Sequence, residues 1–167
     1  MSKIIIRYYF DLNSIKDDKF YLVEDKNRVD IDLFELCDSF IFGEIMIVNL
    51  EDKSNFFLSE AKILGFLYQL NLIIQDFVSD KIDKYELFDT EQLYQLRLYK
   101  KDNQFIIDDL QNKIAFDIKS FQSVLLSTIK KAFEDVEYLL PELLSIDEYI
   151  SLKSKISGID TSSGRNI

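Results

Sequence analysis

Between residues 58 and 77 the chain carries Ile63, Phe66, Leu67, Leu70, Ile73, Ile74 and Phe77 at steps of three and four. That spacing puts these side chains on one stripe of an α-helix. Leu64 and Leu72 add apolar groups away from the stripe, so the helix needs cover on more than one side. Ser59 is placed as its N-cap, and Glu60 suits the positive end of the helix dipole. A second stripe runs through residues 120–140, with Phe121, Val124, Leu125, Thr128, Ile129, Ala132, Phe133 and Val136. Pro141 is the only proline, and it disfavours helical geometry at Leu140, so this helix ends or bends there. Residues 143–156 read as a shorter helix.

Two long helices of this kind need something flat to lie on, and the rest of the chain supplies short strand-like runs. Residues 3–11 are rich in Ile and aromatics and predict a strand, with Ile4, Ile6, Tyr8 and Phe10 on one face. Residues 13–18 are polar turn material, and residues 19–24 predict a second strand paired to the first as a hairpin. Residues 29–42 fit a short helix with Asp30 as cap and Gly43 as stop, or else strands; helix is the preferred reading. Residues 44–50 predict a strand on their Ile-Met-Ile-Val core. Further on, residues 85–88, 93–100, 105–108 and 114–116 are short strands separated by polar turns, which predicts an antiparallel meander. The expected class is therefore α+β, an antiparallel β-hairpin/meander sheet packed against two long helices (about 58–78 and 120–140) with a short C-terminal helix. Residues 1–156 are expected to form one α+β domain, and residues 157–167, with two glycines and three serines, a mobile C-terminal tail.

Charge and missing residue types narrow the chemistry. The chain has 30 acidic and 20 basic residues, a net charge of −10. That opposes nucleic-acid phosphates and anionic membranes, and it favours a basic partner. There is no histidine, which removes the commonest general base and transition-metal ligand. Cys37 is the only cysteine; it cannot form an internal disulfide and reads as a small core residue. No phosphate-cradling motif can be written from four scattered glycines. The run Met-Ser-Lys-Ile-Ile-Ile-Arg lacks the apolar region and cleavage site of a signal peptide, and no apolar run approaches ~18 residues. The expectation is a cytoplasmic protein with no membrane, nucleic-acid, metal or cofactor requirement.

Acids are the remaining functional vocabulary. The neighbours Asp17-Asp18, Glu24-Asp25, Asp30-Val-Asp32 and Asp108-Asp109 lack the glycine and ligand spacing of a calcium loop. If residues 31–40 are helical, Asp32, Glu35 and Asp38 form an acidic ridge opposite Leu33, Leu36, Cys37 and Phe40, and Asp30 extends it. Asp30, Asp32, Glu35 and Asp38 are the candidate partner-binding residues, facing a cationic protein surface. A solvated outer face of a small helix is the plainer reading of the same spacing. Tyr8, Tyr9, Tyr94 and Tyr99 fall on predicted strands, where they fit a half-exposed sheet or an interface.

The layout itself, with hairpin candidates at residues 3–11 and 19–24, the apolar helix 58–77, the meander from Leu93-Tyr-Gln-Leu-Arg-Leu-Tyr99 to Ile114-Ala-Phe116 and the long helix 121–140, resembles the α+β immunity proteins of bacterial polymorphic toxin systems. The resemblance implies a non-enzymatic protein that binds a cognate toxin domain and occludes its basic active-site surface. Two other classes fit the same composition. One is a phage or mobile-element inhibitor of a host nucleic-acid-handling protein by acidic mimicry. The other is a small enzyme built on carboxylates.

Overall fold

The computed structural model describes residues 3–24, 31–89 and 94–157. It is mixed α and β, with two antiparallel sheets among the described residues. The first has the order β1-β2-β3, from β1 (Ile4–Phe10), β2 (Phe42–Asn49) and β3 (Ser54–Lys62). The second is the expected meander, β4 (Lys84–Asp89), β5 (Tyr94–Lys101), β6 (Gln104–Asp108) and β7 (Lys113–Asp117), in sequence order. The helices are α1 (Leu12–Glu24), α2 (Leu33–Ser39), α3 (Ile63–Val78), α4 (Ile118–Leu139) and α5 (Asp147–Ser157).

The expected hairpin between residues 3–11 and 19–24 does not form. Residues 19–24 are the second half of α1, and β1 pairs instead with β2, Ile4 opposite Asn49 and Phe10 opposite Gly43. The physical reason lies in which side chains face inward. Ile15, Asp18 and Leu22 are all buried, and they sit three and four apart on one helical stripe. The Asp11 carboxylate accepts a hydrogen bond from the Asn13 N–H at 2.9 Å, and the Asp11 carbonyl accepts one from the Ile15 N–H at 3.0 Å. Asp11 thus starts a helix within what its composition marks as turn material. The strand-like run Phe20-Tyr21-Leu22-Val23 then turns only Leu22 inward and leaves its neighbours facing out.

The start of the central helix is also displaced. Residues 58–62 belong to β3, where Phe56 and Leu58 are buried and Asn55, Phe57 and Ser59 are exposed, a period of two. Ser59 is therefore not the N-cap of α3. That position falls to Lys62, which makes no side-chain capping bond. The first α3 N–H, on Ile63, instead donates to the Ile41 carbonyl at 3.0 Å. From Ile63 onward the predicted stripe is buried throughout, and Leu64 is buried as well, so α3 is covered on several sides. Ala at Gly65 would place its Cβ 2.2 Å from the Cys37 carbonyl oxygen, which is why α2 can lie so close to α3.

Within residues 31–42 the preferred helix forms as α2, capped by Asp32 rather than the expected Asp30, which lies outside the described residues, and closed after Ser39 rather than at Gly43, with β2 beginning at Phe42. α4 carries the second stripe, with Phe121, Leu125, Thr128, Ile129, Ala132, Phe133 and Val136 buried, and Asp117 caps it by accepting from the Ser120 N–H at 2.8 Å. Phe121 of α4 meets Phe105 and Phe116 of the meander at ring distances of 4.7 and 4.9 Å. At the other end, the Tyr8 hydroxyl of β1 donates to Asp135 of α4 at 2.7 Å, and burial, followed by that hydrogen bond and the Asp135 charge, holds the phenol protonated. The Asn49 side-chain amide donates to the Ala115 carbonyl at 2.8 Å and ties the two sheets together. Pro141 ends α4 as expected, and a 3-10 segment (Pro141–Ser145) leads into α5. Tyr149 of α5 is fully buried edge-on to Phe133 at 5.5 Å. The tail expected over residues 157–167 lies outside the described residues from position 158 onward.

Candidate functional site

Because α1 is a helix, it exposes what a strand would have shared with a sheet. Phe20 is 69% exposed, Val23 48% and Tyr21 38%. On α2 the ring of Phe34 is 75% exposed. Exposed apolar side chains of this size would lose most water-facing area on contact with another molecule.

Two clefts flank α1, and Asp17 lines both. The first, between α1 and α2, has a volume of about 650 Å³ and is lined by Asp17, Asp18, Phe20, Tyr21, Glu35, Ser39 and Phe40. The second, of about 930 Å³, opens where α1 meets the first sheet, and its lining includes Tyr9, Phe10, Asp11, Asp17, Glu44 and Glu60. None of the described residues lining either cleft is Lys or Arg. A third cleft, between the two sheets, differs: Lys3 and Lys119 offset Glu51, Asp52 and Asp117 there. Of these three clefts, the two on α1 are the ones with no lining cation among the described residues.

Local backbone shapes the second cleft. The register of β2 and β3 runs from Gly43 opposite Ala61 to Ile45 opposite Leu58, so Ser59 and Glu60 together face the single residue Glu44. This bulge turns Glu44, Ser59 and Glu60 onto the cleft wall, and Glu60 takes the left-handed conformation at φ 54°. Gly43 beside it is needed for close approach, since a Cβ there would lie 2.0 Å from the Tyr9 carbonyl oxygen.

Asp18 forms the floor of the first cleft. It is only 7% exposed, and its Oδ2 accepts from the Ile41 N–H at 2.9 Å. Burial pushes its carboxyl from 3.8 up to about 6; the Ile41 bond opposes the shift and the neighbouring Asp17 charge adds to it. Among the described residues no cation pairs with Asp18. Its neighbour Lys19 reaches Glu142 of the 3-10 segment instead, at 3.8 Å.

The residues singled out in the sequence are not equally placed here. Asp30 lies outside the described residues. Asp32 is exposed and caps α2, accepting from the Glu35 N–H at 2.7 Å. Asp38 pairs with Lys62 at 2.8 Å, across to the end of β3. Glu35 alone of the three described acids lines the first cleft, where its Oε1 accepts a 3.4 Å hydrogen bond from the Tyr21 hydroxyl. Tyr9 is 52% exposed and lines the second cleft, whereas Tyr8 is turned to Asp135. Composition divides residues 13–24 into a turn and a strand, and that division hides the α1 residues of this site. The available signal was Asp11 followed by Ile15, Asp18 and Leu22 at helical spacing.

Burial, with help from the Asp38 charge, pushes the Cys37 thiol up to about 11, so it stays protonated and unreactive at neutral pH. Among the described residues no three acids or cysteines stand close enough to hold a metal ion. No described helix is long and apolar enough to cross a membrane. No family model, curated protein or solved structure matches the chain.

Proposed function

We propose that this chain is a non-enzymatic inhibitor that binds a protein through a basic surface, acting as an immunity protein that blocks the basic active-site surface of a cognate bacterial toxin in the cytoplasm. The observation that carries the reading is the pair of adjoining clefts on α1, rich in carboxylates and aromatic rings and without a lining cation among the described residues. Rim acids on such a face steer a basic partner inward, and exposed rings supply area that is desolvated on contact. The net charge of −10 adds long-range attraction of the same sign.

The test pairs this chain with the toxin domain encoded immediately upstream of its gene. Co-expression is expected to restore growth of a host carrying the toxin. The purified pair should associate at a rate that falls steeply with salt. A double substitution, Asp17→Lys with Glu44→Lys, should slow association while circular dichroism stays unchanged. Growth arrest despite co-expression, with no complex formed by the purified proteins, would refute the proposal.

A further inference from the structure

The first sheet buries one face and shows the other. Its inward residues meet the rest of the fold: Phe56 stacks on Phe66 of α3 at 6.4 Å, the Tyr8 hydroxyl reaches Asp135 of α4, and the Asn49 amide reaches Ala115 of β7. The alternate residues face out. Tyr9 is 52% exposed and Phe57 53%. Met46, half-buried on the central strand, stands opposite Phe57 in one register and opposite Arg7 in the other. Within this apolar face lie two charges, Arg7 on β1 and Glu44 on β2. They are diagonal neighbours, since Arg7 faces Met46 and Glu44 faces Tyr9. Neither side chain has an ion pair or hydrogen bond among the described residues.

We propose that a second copy of this chain docks on this outer face about a two-fold axis, with Arg7 of each copy on Glu44 of the other. Two opposite charges on one flat face complement themselves under a single two-fold that bisects the line between them, so one rotation makes both pairs. With residues two apart along a strand separated by about 6.7 Å, and strands about 4.8 Å apart, that axis passes within about 2 Å of Tyr9, Met46 and Phe57. These three apolar side chains therefore meet their own copies along the axis, and the charge pairs flank them. A partner surface of one sign would set either Arg7 or Glu44 against a like charge, whereas a second copy satisfies both. The net charge of −10 drives copies apart over most of the surface, but on this face the two charges cancel. Three strands, about 14 Å across and about 25 Å long, remove on the order of 500 Å² per copy, at the small end of specific interfaces, so the dimer belongs in the micromolar range. This inference goes beyond the reading of α1. Tyr9 and Glu44 also line the second cleft, so a copy and a basic partner compete for that wall, while the cleft between α1 and α2 shares no lining residue with the sheet.

The experiment is sedimentation equilibrium of the full chain alone, from about 1 µM to about 500 µM, with circular dichroism of each variant as the folding control. Wild type is expected to pass from monomer to dimer across this range. Arg7→Glu and Glu44→Arg each set like charges against each other in both pairs, and each should weaken the dimer about 10-fold or more. Mixing these two single variants makes both pairs opposite again, so they should associate with each other at least as tightly as wild type does with itself. The double variant, Arg7→Glu with Glu44→Arg, should recover the wild-type dimer. Phe57→Ala, which removes an exposed ring at the axis, should weaken the dimer, and Glu86→Gln, which removes an exposed charge from β4, should not. Should Glu44→Arg disturb the bulge and fail to fold, Arg7→Glu and Phe57→Ala must each still weaken the dimer. A wild type that stays monomeric throughout overturns the inference, even if it binds some other protein through Phe57. So does a dimer that Arg7→Glu or Phe57→Ala leaves intact, or one that the folded single variants do not rebuild when mixed. No toxin enters these measurements, so the immunity reading stands or falls separately.

Discussion

Asp18→Asn offers the sharpest test of how this face is built, because it separates the charge of the side chain from its hydrogen bond. The wild-type carboxyl titrates near 6 in the folded protein against an ordinary 3.8, since burial disfavours the charged form. The folded state therefore binds its proton more tightly than the unfolded state does. Stability contributed by this group is present at acidic pH and is lost as pH rises from about 4 to about 6. At 1.36 kcal/mol per pH unit the displacement sets an upper bound of about 3 kcal/mol. Water in the open cleft screens part of it, so the cost of charging Asp18 is on the order of 1–2 kcal/mol. Asn retains an oxygen for the Ile41 N–H and cannot ionise. The mutant is expected to gain that amount over wild type at pH ~7.5 and almost nothing at pH ~4. The assay is the urea midpoint of both proteins across this range. Asp18→Ala serves as the control: it leaves the buried Ile41 N–H unpaired and should lose about 1–3 kcal/mol relative to Asp18→Asn at both ends. A difference between Asp18→Asn and wild type that does not grow with pH would refute the account of an uncompensated buried charge.

Leu70→Ala, in the middle of the α3 stripe, should cost ~2–5 kcal/mol, and an unchanged denaturant midpoint would remove that stripe from the core. Gly43→Ala should cost at least ~1–3 kcal/mol in the same assay, because the obstructing atom is the Tyr9 backbone oxygen, which cannot rotate aside. Asp32→Ala should lose ~0.5–2 kcal/mol of stability through its cap and leave partner association nearly unchanged. Glu35→Lys should do the reverse, altering stability by about 0.5 kcal/mol or less while slowing association; stopped-flow rates and melting curves of the two variants distinguish these roles.

The long helices were legible from a period of three to four in α3 and α4, and the meander from a period of two in β5 and β7 and from the polar turns on either side of the continuous apolar run of β6. What escaped was decided by tertiary contact. Residues 19–24 have the aromatic and β-branched composition of a strand, and as a strand they would have buried Phe20 with Leu22. The helix prevails because Ile15 and Leu22 both reach the core from it, with Asp11 capping its start. Residues 58–62, Leu-Ser-Glu-Ala-Lys, have the polar composition of a helix start, and only pairing with β2 makes them a strand. The candidate site followed from the same two features. Its acids were visible as a surplus, but Asp17 and Asp18 looked like any adjacent pair. Their meaning depends on α1 being a helix, which sends Asp18 inward and leaves Asp17 at the junction of two clefts.

Ile41 shows why such a face needs so rigid a core beneath it. A β-branched residue at φ 62° is a true backbone outlier, a conformation costing about 1–3 kcal/mol that persists only where the surroundings over-determine it. The surroundings here can be named. The Ile41 side chain is fully buried, its carbonyl accepts from the first N–H of α3, and its own N–H is held by Asp18. One residue thus ties the cleft floor on α1 to the start of the central helix and to β2, which begins at the next position. Asp18 is consequently fixed in place although its charge is unwelcome there. A carboxylate free to move would swing out to water and relax to its ordinary acidity. Held by Ile41, it stays desolvated at neutral pH, with no cation paired to it among the described residues. Asp18→Asn should therefore strengthen the fold at neutral pH, because it keeps an acceptor for the Ile41 N–H and removes the charge.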